Sequence, residues 1–477
     1  MGGRELPEYG AKRGYQRPKT PFSAKRCTFF CAFARCGRLR TGRRDEGARA
    51  PCYPKSKRMA FFSRSSSFSR VTALAALRPV HAAFAWLHGN PKTIMDWQQQ
   101  LVRIPAPPFG EQARAEWLAA RFAEAGLAGV ETDAVGNVFG TLPAAHLPAE
   151  STGPVVVLSA HLDTVFPAET HLKPVLEGDR LEAPGACDNG AGVAGMLAIL
   201  QALVESGIEL PSPLILLGNV GEEGEGDLRG VRHFYNQESL AGRIAAHIVL
   251  DGGGADSAVT QALGSRRYQV TIDGPGGHSF TDAGMPIPIA ALARALAALA
   301  EAPLPEEPRT TLNVGTIRGG TSVNSIPESA QAAIDLRSSD PEQLLRLEVA
   351  LHRAVEDAVA HGNGRAKMRA ASGGKTLTFK IAKIGDRPAA SLPGNSALLE
   401  NLRAVDRHLG LRTDLRLGST DANIPLSLGV PALSMGAGGE GGGAHTQAEW
   451  YSAKDREVGL KRVLLLTLAM LEWAAEQ

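Results

Sequence analysis

Residues 155–165 read Val155-Val156-Val157-Leu158-Ser159-Ala160-His161-Leu162-Asp163-Thr164-Val165. The Val-rich apolar run at 155–160 is too short for a helix. It predicts a strand buried on both faces. A His-x-Asp triplet follows it directly. The same pattern recurs three times. An apolar stretch at 214–220 leads into Gly221-Glu222-Glu223-Gly224, one at 247–251 ends in Asp251-Gly252-Gly253-Gly254, and one at 432–435 leads into a glycine-rich loop, 436–443, and His445. A helical pattern at 192–205 separates the first two. Helices are also predicted at 96–102 and 112–125, where Gly126 closes the second as a C-terminal glycine should. Apolar strands alternating with helices predict an α/β domain around a mostly parallel sheet, covered on both faces.

The middle of the chain has another rhythm. Strands at 267–273, 311–318, 330–337 and 376–383 alternate with helices at 288–300 and 341–360. The order is βαββαβ, the ferredoxin-like split motif. The expected division is a catalytic domain of 72–263 and 388–477, with an inserted domain, 264–387, serving as lid or dimerisation platform.

Composition excludes several classes. The chain has 477 residues, 44% hydrophobic and 21% charged, with a net charge of +2. It can bury a large core and is not disordered as a whole. Five Cys do not make a disulfide scaffold, and no apolar run is long enough to cross a membrane. The near-neutral total hides a split. Residues 1–58 hold 16 Lys/Arg and 4 Asp/Glu, net +12, leaving −10 for the rest. Cys27, Cys31, Cys36 and Cys52 lie there too, but not as C-x2-C pairs, which argues against a zinc module. Residues 1–71 are expected to be a basic leader outside the folded enzyme, either a transit segment or sequence upstream of a start at Met59. The helix face Leu77, Val80, Phe84, Leu87 opens the folded part. With the lone Cys187, a cytoplasmic location is expected.

Ligands of open α/β sheets bind beyond the carboxyl ends of the strands. That rule gathers His161, Asp163, Glu222, Glu223, Asp251 and His445 into one crevice. Asp188, in the loop 184–190 before a helix, joins them. An acid after a strand is usually a cap or a solvated turn, and a lone His is usually structural; their joint occurrence is what points to a site. So many carboxylates and imidazoles repel one another unless a cation is present. Donors without thiolate fit Zn, or Co and Mn by availability. Two such ions with a shared water make a hydrolytic site.

His161-Leu162-Asp163-Thr164-Val165, the Asp188 loop, Glu222-Glu223, Asp251 and His445 together resemble the dizinc metallohydrolase family of aminoacylase-1, carboxypeptidase G, peptidase T and acetylornithine deacetylase. The resemblance spans roughly 75–475 and is nearest the peptidase T-like branch. It implies that His161 and Asp251 bind one metal, Glu223 and His445 the other, and Asp188 both. It implies that Asp163 orients His161, that Glu222 is the general base, and that the Asp188–Asn189 peptide is cis. Gly276-Gly277-His278-Ser279 resembles the family's dimerisation-domain signature, whose His stabilises the oxyanion in the partner's site. Asn324 and Arg337 resemble its substrate-contacting pair. Plainer readings remain open: His278 as a loop residue beside glycines, Arg337 as a sheet-edge residue, Asp421 of Gly418-Ser419-Thr420-Asp421 as a chain-turning acid. Asn189 stands where many relatives have an acid, Met or Lys, and Cys187 reads as a small buried side chain rather than a ligand. The resemblance implies a metal-dependent hydrolase of small peptides, of aminopeptidase or dipeptidase type. An N-acyl-amino-acid deacylase and an inactive binding relative are the alternatives. It also implies a homodimer through the inserted domain. Neither membrane nor nucleic acid is expected to bind the folded part.

Overall fold

The computed structural model describes residues 66–145, 153–368 and 374–477, the side chains of residues 367 and 368 excepted. The leader's cysteines and most of its basic residues lie outside them.

The central sheet is mixed rather than mostly parallel. Four strands form its parallel middle: Leu214–Asn219, Val155–His161, Ile244–Leu250 and Ala432–Met435, in that spatial order. On one side the antiparallel pair Ala128–Thr132 and Val138–Leu142 completes it. On the other, Ser257–Ala262 runs antiparallel to Ala432–Met435, and itself pairs with Ala390–Ser391 and Asp414–Gly418. The apolar runs predicted from sequence are the parallel middle. The flanking strands escaped because their burial is patchy; Ala128–Thr132 has no fully buried residue. A parallel neighbour also needs a crossover of a dozen or more residues. The short link from Leu250 to Ser257 has no room for one.

Alternation along Val155–His161 shows how both faces are covered. Val156, Leu158 and Ala160 pack into the larger core with the helices Gly190–Ser206 and Arg456–Ala475. Val155 and Val157 pack oppositely with Val231, Phe234 and Ile424. The first helix is Ser67–Ala75, with Arg70 and Val71 buried and Arg70 paired to Glu476 at 2.6 Å. Residues 67–71, expected to belong to the leader, are instead part of this helix, because Val71 is buried and Arg70 meets an acid from the far end of the chain. No helix among the described residues is long and apolar enough to cross a membrane.

The second sheet is antiparallel, in the order Thr310–Gly319, Ser329–Ser338, Gly264–Asp273, Thr378–Arg387. With the helices Pro288–Ala300 and Pro341–Met368 its chain order is βαββαβ. Alternate residues Val270, Ile272, Ala332, Ile334 and Leu336 bury one face against those helices. Its base is tied to the segment that follows Leu214–Asn219. Arg232 donates to the Asp386 carbonyl at 2.7 Å, and the Asp386 N–H donates to the Asp227 carboxylate at 3.0 Å.

One core residue gives the fold an acid limit. His247 is fully buried, with Tyr235 Oη and Ser159 Oγ at 3.0 and 2.8 Å from its ring nitrogens. Burial pulls its imidazole down to about 3. The unfolded chain takes up a proton there below about pH 6.5, while the folded chain does so only near pH 3. Stability is therefore lost as pH falls through that window, by up to about 1.4 kcal/mol per pH unit. His247→Gln is expected to flatten the fall of the urea midpoint between pH 6 and 4. An unchanged acid limb would assign that fall to other groups.

Candidate active site

Parallel strands end at one edge, and four of the predicted residues stand there. His161 is the last residue of Val155–His161. Glu222 and Glu223 follow Leu214–Asn219, and Asp251 follows Ile244–Leu250. The Asp251 N–H donates to the Met435 carbonyl at 3.0 Å, registering two of these ends. Asp188 enters from the turn before the helix Gly190–Ser206, across a cis Asp188–Asn189 peptide. His445 comes from the loop beyond Glu440–Gly442, a short strand within the segment expected to be all loop. Its φ of 64° is left-handed, a costly conformation for a residue other than glycine and one found at functional sites.

Asp188 lies between the two imidazoles. Its Oδ1 is 3.1 Å from His161 Nε2, and its Oδ2 is 3.1 Å from His445 Nε2. Asp251 Oδ1 is 3.9 Å from His161 Nε2, and Glu223 Oε1 is 3.1 Å from His445 Nε2. Donor atoms of His161, Asp188 and Asp251 lie within 4.8 Å of one another, as do those of Asp188, Glu223 and His445. A third such group joins His161, Glu222 and Glu223. The cluster grades from buried His161 to exposed His445, so it is reached from the His445 side.

Within the protein alone this arrangement is electrostatically incomplete. Burial pushes Glu222 well up, and Glu223 up, against the pull of Arg387 and the imidazoles. Burial, reinforced by Asp188, pushes Asp251 up to about 7. The hydrogen bond to Asp188 lifts His445 to about 9. For His161 burial acts downward, but Asp163 and Asp188 outweigh it and the net direction is well up. Asp188 Oδ1 is buried and without a hydrogen-bond partner, since His161 Nε2 lies close but out of line. Two ligand atoms of one cation stand in that way. The donor set of imidazole nitrogens and carboxylate oxygens suits a zinc-like cation at each position. Cys187 takes no part: burial pushes its thiol up to about 12, and its Sγ accepts from the Gly253 N–H at 3.3 Å.

Asp163 does more than expected. His161 Nδ1 is 3.1 Å from the Asp163 backbone carbonyl and 3.7 Å from its carboxylate. The carboxylate accepts from the N–H groups of Glu222 and Glu223, at 3.0 and 2.7 Å. It thus positions the turn carrying both glutamates as well as the imidazole. Asn189 is buried and structural. Its side chain caps the helix at Gly192 N–H, 3.1 Å away, and binds Leu250 O and Gly252 N–H.

Three residues that sequence reading missed or left open complete the surroundings. Arg387 ends the last strand of the second sheet; its Nη1 donates to Glu222 Oε1 at 3.0 Å, and its Nη2 to the Glu222 carbonyl. Asp421 is fully buried and accepts from Asn219 Nδ2 at 2.7 Å; burial pushes it up to about 6. Glu449, fully buried, accepts three backbone N–H groups of the Asp188 loop. Its position four residues after His445 was the only signal available.

The structure does not bring His278, Asn324 and Arg337 to this cluster. His278 is exposed, and its hydrogen bonds stay within residues 278–282. The short strands Gly277–His278 and Ser325–Ile326 pair, and Ser279 N–H donates to the Asn324 carbonyl at 2.9 Å. His278 and Asn324 thus share one exposed loop cluster. Arg337 Nε donates to Asp335 at 2.7 Å on the second sheet.

Residues 157–469 match the model of a family described as peptidase family M20/M25/M40. The Bacillus subtilis protein YqjE, described as uncharacterized, is 23% identical over 397 residues, covering 81% of this chain and all of that protein. A probable carboxypeptidase of Paracoccidioides lutzii is 30% identical over 230 residues, which cover 43% of this chain and 49% of that protein, so the match spans about half of that relative. The structure of aminopeptidase PepT from Bacillus cereus superposes with a TM-score of 0.64 at 20% identity, covering 80% of this chain and 99% of that one. At that identity the likeness establishes the fold.

Proposed function

Because the chain belongs to peptidase family M20/M25/M40, we propose that it is a dinuclear metal-dependent hydrolase of amide bonds in small peptides. One observation carries this reading: the two carboxylate oxygens of Asp188 each face a different imidazole at 3.1 Å. His161 and Asp251 would hold one divalent cation, Glu223 and His445 the other, and Asp188 both. Zinc suits the donors. Cations bound there would acidify a water and polarise the scissile carbonyl.

The chain's own residues supply the rest. Glu222 takes the water's proton on its carboxylate and hands it to the departing amine nitrogen. Burial raises its affinity for that proton, while Arg387, on Oε1, limits the rise. Asp163 keeps Glu222 and Glu223 in place through their N–H groups. His278 and Asn324, exposed together on the inserted domain, would act at a partner protomer's site, with Arg337 gripping a substrate carboxylate. This assigns the inserted domain to dimerisation.

An aminopeptidase or dipeptidase is the first choice. An acid facing the substrate beside the cluster would favour a positive amino terminus. A cavity of about 590 Å³ beside Val220, which lies two residues before Glu222, has a mixed lining: Phe109, Ala115 and Val135 are apolar, whereas Glu111, Glu116 and Arg229 are charged. Deacylation of an N-acyl amino acid is the alternative reading. Metal content and turnover should be measured together, on di- and tripeptides beside N-acetyl amino acids, with and without chelator. About two metals per chain and chelator-sensitive peptide cleavage are expected. Turnover of N-acyl substrates alone would move the assignment to the deacylases. No metal and no turnover after adding Zn, Co or Mn would sink the enzyme reading.

A further inference from the structure

We propose that Glu449 is a positioning residue that locks the loops of Asp188 and His445 together before any cation binds, so that the two cation positions fill as a unit. This rests on the ligand assignment above.

Both loops grow from one small antiparallel sheet, in the order Glu440–Gly442, Trp450–Ser452, Arg180–Glu182, Val175–Glu177. The chain leaves Arg180–Glu182 into the Asp188 loop. It leaves Glu440–Gly442 into the His445 loop and returns as Trp450–Ser452. Glu449 stands at that return, and its backbone carbonyl accepts from Ala183 N–H at 3.1 Å.

Its side chain reaches into the neighbouring loop. Oε2 accepts from Gly185 N–H at 2.7 Å; Oε1 accepts from Cys187 N–H at 2.8 Å and Asp188 N–H at 2.7 Å. Gly185 has a φ of 75°, and a Cβ there would meet Thr164 Cγ2 at 2.8 Å, so glycine is required for the loop to close. Convergent backbone N–H groups form a concavity that suits an anion. Here the protein supplies the anion. With its own N–H fixed, Asp188 presents its carboxylate between the imidazoles.

The backbone of Glu449 governs the other ligand. Its N–H donates to the Thr446 carbonyl at 3.2 Å, and Thr446 N–H donates to the Gly443 carbonyl at 3.0 Å. Those bonds close the turn in which His445 is held left-handed. One residue therefore sets Asp188 with its side chain and His445 with its main chain. A shift of the Asp188 loop moves the ligand that both cations would share, and a shift of the His445 loop moves a ligand of one of them. All three partners of the carboxylate are donors, so glutamine cannot replace it: it has one acceptor oxygen and turns an NH2 group against an N–H.

The test uses the full chain stripped with chelator, then titrated with Zn²⁺ by calorimetry, with amide exchange read in parallel. In the metal-free wild type the amides of Gly185, Cys187 and Asp188 should already be protected, and both zinc equivalents should bind in one transition. Glu449→Gln should keep the circular dichroism spectrum, lose that protection, bind zinc about 10–100-fold more weakly and fill in two separate steps. Glu449→Asp, which cannot reach all three donors, should fall between. Full zinc affinity in Glu449→Gln would overturn the proposal while leaving the cation site standing. A wild type that takes up no zinc, cobalt or manganese would overturn the site itself, and the proposal with it. Should Glu449→Gln fail to fold, the wild-type exchange decides alone: free exchange of the three amides without zinc overturns the proposal, and protection supports it.

Discussion

Asp188→Asn is expected to reduce turnover to that of the chelator-treated protein, a larger loss than any other single change in the site. Both oxygens of Asp188 are in use, one toward each imidazole at 3.1 Å. Asparagine keeps one acceptor and places an NH2 group against the other side, where it cannot act as a ligand. The neighbouring supports do not depend on the charge. Asp188 N–H remains on Glu449, and Asn189 still caps the helix Gly190–Ser206. The variant should therefore fold, with an unchanged circular dichroism spectrum, and bind fewer than two metals per chain. Two metals held at wild-type affinity would show that Asp188 does not link the two positions.

Glu222→Gln should separate chemistry from metal binding. General base catalysis contributes about 10²–10⁴-fold, so kcat should fall by that order while metal content stays at the wild-type level. Glutamine is preferred to alanine because Arg387 is itself buried and donates to Glu222 Oε1 and to the Glu222 carbonyl. An amide oxygen can still accept from Nη1, whereas alanine would strand a buried guanidinium. Unchanged kcat would remove Glu222 from the mechanism. Loss of metal together with activity would instead make it a ligand, in line with the donor group it forms with His161 and Glu223. The two variants thus predict different metal contents, lowered in Asp188→Asn and unchanged in Glu222→Gln, although both lose turnover.

The contrast between Glu222 and Arg387 shows where sequence reading stops. Glu222 could be found because it follows an apolar strand, and strand ends of a parallel sheet meet at one edge. Arg387 ends an exposed, half-alternating strand of the other sheet and has no local mark of function. It reaches Glu222 only because the base of the inserted sheet docks beside residues 222–232, through Arg232, Asp227 and Arg267. Asp421 was visible as an acid in a turn, but its full burial beside Asn219 was not, since Asn219 belongs to a strand some 200 positions away. Asp163 was read as a partner of His161, yet its carboxylate spends both oxygens on the N–H groups of another strand's turn. The mixed character of the sheet was hidden for a related reason. Partly exposed edge strands lack the unbroken apolar runs that make buried parallel strands legible.

The sequence by itself determined the four apolar strands of the central sheet, the βαββαβ order of the insertion and the seven residues that stand at the strand ends and the helix turn. These follow from local rules: a buried strand must be apolar, and chain order along a parallel sheet directs every strand end to the same side. Only the tertiary structure decided which oxygens face which nitrogens, that Arg387 holds the candidate base, and that Glu449 fastens the loops of Asp188 and His445. The Arg387 and Glu449 contacts join segments 165 to 264 positions apart. Their cause is the burial of charged and backbone polar groups that must find partners wherever the fold places them, and no spacing in the chain records that requirement.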